Sequence, residues 1–343
     1  MKSLLIALLI FPFYSFCQIP QGYYDSAAGL TGQPLRAALR DIIDDHEEQS
    51  YSSIWTHFQT TDDRPDGKVW DMYSDVPGGN PAYTYSFVTD QCGNYSSEGD
   101  CYNREHSFPK SWFNDAAPMV TDLFHIYPTD GYVNGQRSNY PFGETNNANW
   151  TSTNGSKVGI SSFPGYSGFI FEPIDEYKGD FARTYFYMLT RYMDDIEGWT
   201  SDMLSGNDLS AWAKEMLLEW HDQDPVSQKE TERNNAVYQV QTNRNPFIDH
   251  SEYTGLIWGL PSGNDEPVMT LLKIWYSDGG VHIESVKEIN GRVRILNING
   301  ICINSMMIHS TRADLNYHFT PGIYMIIIET GQQILTYKIA VMK

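Results

Sequence analysis

Two short runs within Cys92–Asn139 bring together side chains that could share one reaction. The first is Asn103-Arg104-Glu105-His106, and the second runs from Asp122 through His125, Asn134 and Arg137 to Asn139. In fewer than fifty residues they supply a carboxylate, two imidazoles, an amide and two guanidiniums. Glu105 and Asn134 are hard oxygen donors of the kind Mg²⁺ accepts, an ion that takes few protein ligands and keeps waters. His106, neutral near pH 7, can take a proton from water. Arg104 and Arg137 can offer forked donors to phosphate oxygens. Such a set suits hydrolysis of a phosphodiester, where a bound cation offsets phosphate charge while a base activates water.

Adjacent residues on a regular strand point to opposite faces, so Glu105 and His106 can share a site only where the backbone is irregular or a strand ends. Two further acid–imidazole groups, His221 with Asp222 and Asp224, and Asp249 with His250 and Glu252, read as solvated turns and helix ends. Glu172, in Phe171-Glu172-Pro173, is a candidate outer acceptor for the site.

The elements that must position these groups belong to a chain of 343 residues, 41% hydrophobic and 14% aromatic, enough for a sizeable core. Its formal charge of -20 argues against a broad basic face gripping phosphates. One cation and a few placed arginines can still act locally. From Thr270 to Lys343 seven basic residues meet five acidic ones, a net of +2, whereas the preceding 269 residues carry 16 against 38, a net of -22. Charge and periodicity both change near Ser262-Gly263-Asn264-Asp265-Glu266-Pro267, which predicts two domains.

Lys2, the apolar run Leu4–Phe16 and the small residues Ser15 and Cys17 predict a signal peptide over 1–17, cleaved before Gln18. The run is too short for a membrane span, and Phe16 disfavours a lipidated Cys17. In an oxidising compartment Cys92 and Cys101, separated by a turn-rich run, form the expected disulfide, with two free thiols as the alternative. Cys302 is left without an obvious partner.

Apolar spacing predicts helices over Pro34–His46, Lys178–Asp194 and Asn207–His221, the last with Asn207 or Asp208 as N-cap. Lys68–Tyr73 reads as a strand, Tyr83–Tyr166 as loops and short strands, and Val293–Ile298, Gly322–Ile328 and Gln333–Val341 as strands. The fold class is therefore α+β, followed by a small all-β domain.

The blocks Asn103–Pro109, Asp122–Pro128 and Val133–Asn139 together resemble the bacterial endonuclease I family, secreted or periplasmic nucleases with a ββα-metal (His-Me finger) site. Phe171–Pro173, Lys178–Arg183 and Asn243–His250 resemble further family blocks, so the likeness runs from about Gly29 to Gly259. The resemblance implies a ββα-metal nuclease domain with surrounding helices over 18–262. It implies His106 as general base, Glu105 and Asn134 holding one divalent cation (Mg²⁺, with Mn²⁺ or Ca²⁺ as alternatives), and 5′-phosphate products from DNA or RNA with little base preference. Arg137 matches a family arginine, read as a catalytic and substrate-binding phosphate contact with a scaffold ion pair as the alternative; Arg104 is the other substrate-binding candidate.

Two departures stand out. Phe124 replaces a histidine found in many members, which leaves His125 as a residue supporting the ligands from behind or a structural one, more than a ligand itself. No arginine lies between Arg104 and Arg137, where some relatives carry one that clamps phosphate. After a linker at 263–269, residues 270–343 resemble the β-sandwich-like sorting domain of the Bacteroidetes type IX secretion system, through Val293–Ile298, Asp314-Leu315, Pro321–Tyr324 and Lys338–Lys343. That implies export through the periplasm to the cell surface or medium, with the type IX machinery as partner. The rival readings are a phosphoesterase for another ester and a non-catalytic extracellular binding protein. The intact Glu105, His106 and Asn134 set disfavours the second rival.

Overall fold

The computed structural model describes residues 19–259, 272–277, 280–297, 302–316, 319–330 and 334–341. The expected signal peptide at 1–17 and linker at 263–269 lie outside the described residues. The chain divides into two compact units, Met1–Gly259 and Leu260–Lys343.

In the first unit α1 (Gly32–Ile43) buries Leu35, Leu39 and Ile43 at four-residue spacing, one turn apart on one face. It starts two residues before Pro34 and ends three before His46. After α2 (Ile54–Thr61), the expected strand Lys68–Tyr73 is reduced to a single bridge between Asp63 and Val69. The Asp71 carboxylate is the reason. Its Oδ1 accepts from Tyr73 N at 2.8 Å, which turns the chain, and its Oδ2 accepts from Asp130 N at 2.9 Å.

Strand β1 (Tyr102–His106) pairs antiparallel with β2 (Ile126–Asp130), and β2 passes directly into α3 (Gly131–Arg137). Asp130 is the N-cap of α3, accepting from Val133 N at 2.8 Å. The two strands and helix pack together as one element. A separate antiparallel sheet follows, made of β3 (Ala148–Thr151), β4 (Lys157–Ile160) and β5 (Phe169–Glu172).

Helix α4 (Lys178–Arg191) runs through the core, buried at every residue. Its charged side chains are neutralised in place: Asp180 by Lys229 at 2.8 Å, Arg183 by Glu230, and Lys178 by Glu172 at 3.0 Å. Gly179 has no room for a side chain, because a Cβ there would meet Asp224 O at 2.1 Å.

The short strands β6 (Leu204–Ser205) and β7 (Asp208–Leu209) form a tight hairpin. That pairing delays the next helix, so α5 (Ala211–Gln223) is preceded by Ser210 and not by the expected caps Asn207 or Asp208. Its stripe of Trp212, Ala213, Met216, Leu217 and Trp220 is buried as predicted. Helix α6 (Gln228–Gln241) was not foreseen, since it has no clear apolar face. A capping box between Ser227 and Glu230 starts it, and Arg233, Asn234 and Gln241 are buried by hydrogen bonding. The unit closes with α7 (Pro246–Asp249) and α8 (Glu252–Ile257).

The second unit is all-antiparallel: β8 (Leu272–Ser277), β9 (Gly280–Asn297), β10 (Cys302–Asn316), β11 (Gly322–Thr330) and β12 (Ile334–Val341). The described strands form one hydrogen-bonded sheet in the order β10-β9-β11-β12, with β8 also paired to β9. The long β9 takes β8 along Gly280–Ser285 and β11 along Gly291–Asn297. Alternation sets its core: Val293 and Ile295 are buried against Ile308, Ile326 and Ile328.

Candidate active site

The ladder of β1 and β2 sets Glu105 opposite Tyr127 and His106 opposite Ile126. His106 is the last residue of β1; at Ser107 the chain leaves the ladder, with Ser107 N donating to His125 O at 2.9 Å. Both Glu105 and His106 border one open cleft of about 320 Å³, shared with Tyr51, Arg104, Asn134 from the first turns of α3, and Lys110. The strand end thus coincides with the pair that must share a site.

His106 is 5% exposed, and its Nε2 lies 3.1 Å from Val120 O. A carbonyl can only accept, so Nε2 carries the proton and Nδ1 is the basic nitrogen. Burial, reinforced by neighbouring His125, holds the imidazole well below its usual pKa of 6.5 and therefore neutral. His125 is fully buried behind it, ring centroids 5.4 Å apart, with Nε2 anchored on Met119 O at 2.7 Å. It does not border the cleft.

Glu105 is 2% exposed. Tyr73 donates to its Oε1 at 2.8 Å, and Arg137 Nη1 stands 3.2 Å from the same oxygen. Burial raises the Glu105 pKa, and the Arg137 charge and Tyr73 hydrogen bond pull it partly back. Asn134 donates its Nδ2 to Arg104 O at 3.4 Å, which leaves the amide oxygen as its free donor to a cation. Among the described residues no group of three or more His, Cys, Asp or Glu side chains could hold a metal. Glu105 is the one carboxylate among the residues lining this cleft, beside the amides of Asn103, Asn134 and Asn139, a donor set that fits a hard ion that keeps most of its waters.

Arg137 borders the same cleft, with its guanidinium bonded within the protein. It is 1% exposed, and besides Glu105 its guanidinium donates to His106 O at 3.1 Å and Ser107 O at 2.6 Å. These bonds at the end of β1 are those of the scaffold alternative, and they are made beside the cleft where the phosphate contact was expected. Arg104 is more open: its guanidinium lies 3.7 Å over the Tyr51 ring and 4.5 Å over that of Trp55, with Nη1 donating to Tyr51 O at 2.7 Å.

Four contributors were not singled out from sequence: Tyr73, the Val120 carbonyl, Tyr51 and Lys110. Lys110 lies in the very interval that lacks an arginine and borders the cleft, where it pairs with Asp115. Tyr51 stacks at 6.0 Å on His106. Glu172 is not part of this site; it accepts from Thr145 N at 2.9 Å and pairs with Lys178 beside another cleft. Nor is Asp249 a solvated turn residue, since it is held by Arg244 at 2.6 Å and Tyr24 at 2.7 Å.

Just before β1 a disulfide joins Cys92 and Cys101, Cα atoms 5.8 Å apart. Cys92 N donates to Tyr102 O at 3.1 Å, and Cys101 O accepts from Gly131 N at 2.9 Å, so the disulfide lies where a backbone hydrogen bond joins the starts of β1 and α3. Replacing both cysteines by serine is expected to lower unfolding stability by about 2–3 kcal/mol, the loop-closure value for so short a ring. Urea unfolding of the variant checks this.

Residues 31–252 match the family described as Endonuclease I. The chain belongs to that family and is a nuclease. It is similar to an extracellular ribonuclease of Bacillus amyloliquefaciens, 36% identical over 248 residues, covering 69% of this chain and 78% of the relative. It is also similar to an Endonuclease-1 of Buchnera aphidicola, 30% identical over 130 residues (38% of this chain, 46% of the relative). A periplasmic deoxyribonuclease of Aeromonas hydrophila is 29% identical over 131 residues (38% and 48%). Among the described residues no helix is long and apolar enough to cross a membrane.

Proposed function

We propose that the chain is a secreted, cation-dependent endonuclease that hydrolyses both RNA and DNA with little base preference, through a ββα-metal site on β1, β2 and α3. The observation that carries the reading is the His106 ring, tied through Nε2 to Val120 O beside the oxygen donors Glu105 and Asn134. In this reading His106 Nδ1 takes the proton of the attacking water, and the Val120 carbonyl stabilises the imidazolium that results. Tyr73 and Arg137 hold Glu105 in place, while Arg104 and Lys110 balance phosphate charge. A divalent ion, held by Glu105 and the Asn134 amide oxygen, would supply charge stabilisation at the phosphate and the leaving oxygen.

The substrate range follows from relatives named as both ribonuclease and deoxyribonuclease, and secretion from relatives named extracellular or periplasmic. We assign residues 18–262 to catalysis and 270–343 to type IX sorting, on the sequence resemblance.

The chemistry of the product ends tests the mechanism. Water activated by His106 leaves 5′-phosphate and 3′-hydroxyl ends on DNA and RNA alike. RNA products ending in 2′,3′-cyclic phosphate would show attack by the ribose hydroxyl and overturn the assignment.

A further inference from the structure

The catalytic cleft continues into a second one, because Ser111 and Asn139 border both. The second cleft, about 540 Å³, is lined by the aromatic residues Trp112, Tyr140, Tyr166 and Phe169, with Asp202 the one charged residue among its lining. The rings are presented in an ordered way. Phe169, at the start of β5, is 41% exposed and stacks on Tyr140, centroids 5.7 Å apart and planes 28° apart. Tyr166 lies flat on Trp212 at 4.4 Å and 7°, and its hydroxyl donates to Asp202 at 2.8 Å. A side chain at position 168 would prevent this, since a Cβ on Gly168 would fall 2.2 Å from Tyr166 Oη.

A cleft lined by aromatic faces, without a lysine or arginine among its described lining and continuous with a phosphodiester site, is suited to bases more than to phosphates. The charge of the whole chain, -20, points the same way: general attraction to a polyanion does not supply the affinity. Stacking does, and it tolerates any base because each has a π-face. Only unpaired bases can reach such rings, since those of a duplex are stacked on one another.

We propose that the cleft lined by Tyr140, Tyr166 and Phe169 is a base-stacking subsite for single-stranded nucleic acid, holding unpaired bases beside the phosphate presented to His106. The inference rests on the nuclease reading above and adds to it a preference for single strands over duplexes.

The test measures fluorescence anisotropy of short labelled DNA and RNA strands, and of the matching duplexes, on full-length His106→Ala protein, which is expected to bind without cutting. Single strands should bind more tightly than duplexes. Phe169→Leu and Tyr140→Leu should each weaken single-strand binding roughly 5- to 100-fold, whereas Phe169→Trp should retain it. In the active protein the leucine variants should raise KM more than they lower kcat. Unchanged single-strand affinity in both leucine variants, or duplex affinity equal to that of single strands, would overturn the proposal and leave the rings to a protein partner. Failure of the nuclease reading looks different, because the wild-type chain would then cut neither polymer in any divalent cation.

Discussion

Replacing His106 by alanine is expected to lower the turnover of DNA and RNA cleavage roughly 10²–10⁴-fold, the usual contribution of a positioned general base. The ring is buried, fixed in one tautomer by Val120 O, and held neutral, so its remaining nitrogen is unprotonated and free to accept the proton that water must lose. Alanine removes that nitrogen and leaves Glu105, Asn134 and Arg137 in place. The loss should therefore fall on kcat, with KM and the urea midpoint close to wild type. Steady-state kinetics on a defined oligonucleotide provide the measurement. A variant retaining wild-type kcat would remove His106 from the chemistry.

The largest effect on stability is expected from Arg137→Met. Its guanidinium balances the buried Glu105 carboxylate and satisfies the carbonyls of His106 and Ser107, and it packs 4.9 Å from the Phe142 ring. Methionine restores some volume but strands a buried negative charge and removes a donor from each carbonyl, leaving Ser107 O with the Tyr185 hydroxyl at 3.0 Å. Breaking one side of a buried pair costs about 3–5 kcal/mol. Urea unfolding should register that loss, and adding Glu105→Gln should recover part of it, because the unpaired charge is then gone. A residue whose work is to grip substrate would behave differently: Arg137→Met would raise KM and leave the unfolding midpoint unmoved.

Much of the site was legible because its side chains lie in two short runs. Glu105, His106 and Asn134 differ from their surroundings in chemistry, and a strand pair running into a helix brings them to one cleft. What sequence could not show is supplied from a distance or by the backbone. The Val120 carbonyl that orients His106 has no side-chain signature, and Tyr73, 32 residues before Glu105, reaches it only through the turn made by Asp71. Arg137 had two readings in the sequence, and only the structure shows the buried bonds it makes at the end of β1. Periodicity found α1, α4 and α5, whose apolar stripes face the core. It missed α6, which is held by a capping box and buried polar contacts, and it gave a false strand at Lys68–Tyr73, where a carboxylate caps a turn. In the second unit the alternating apolar residues of β9, β11 and β12 were readable, while β10, with Asn304, Ser305, His309, Ser310, Thr311 and Arg312 along it, was not.

The measurement closest to the central claim is digestion of plasmid DNA and total RNA by the purified chain across a Mg²⁺ titration and in excess EDTA, beside Glu105→Ala. The account predicts cleavage of both polymers that rises with Mg²⁺, stops in EDTA, returns when Mg²⁺ is restored, and is lost in Glu105→Ala at every Mg²⁺ concentration. Cleavage at the same rate in EDTA, or a fully active Glu105→Ala protein, would contradict a cation held at Glu105 and Asn134.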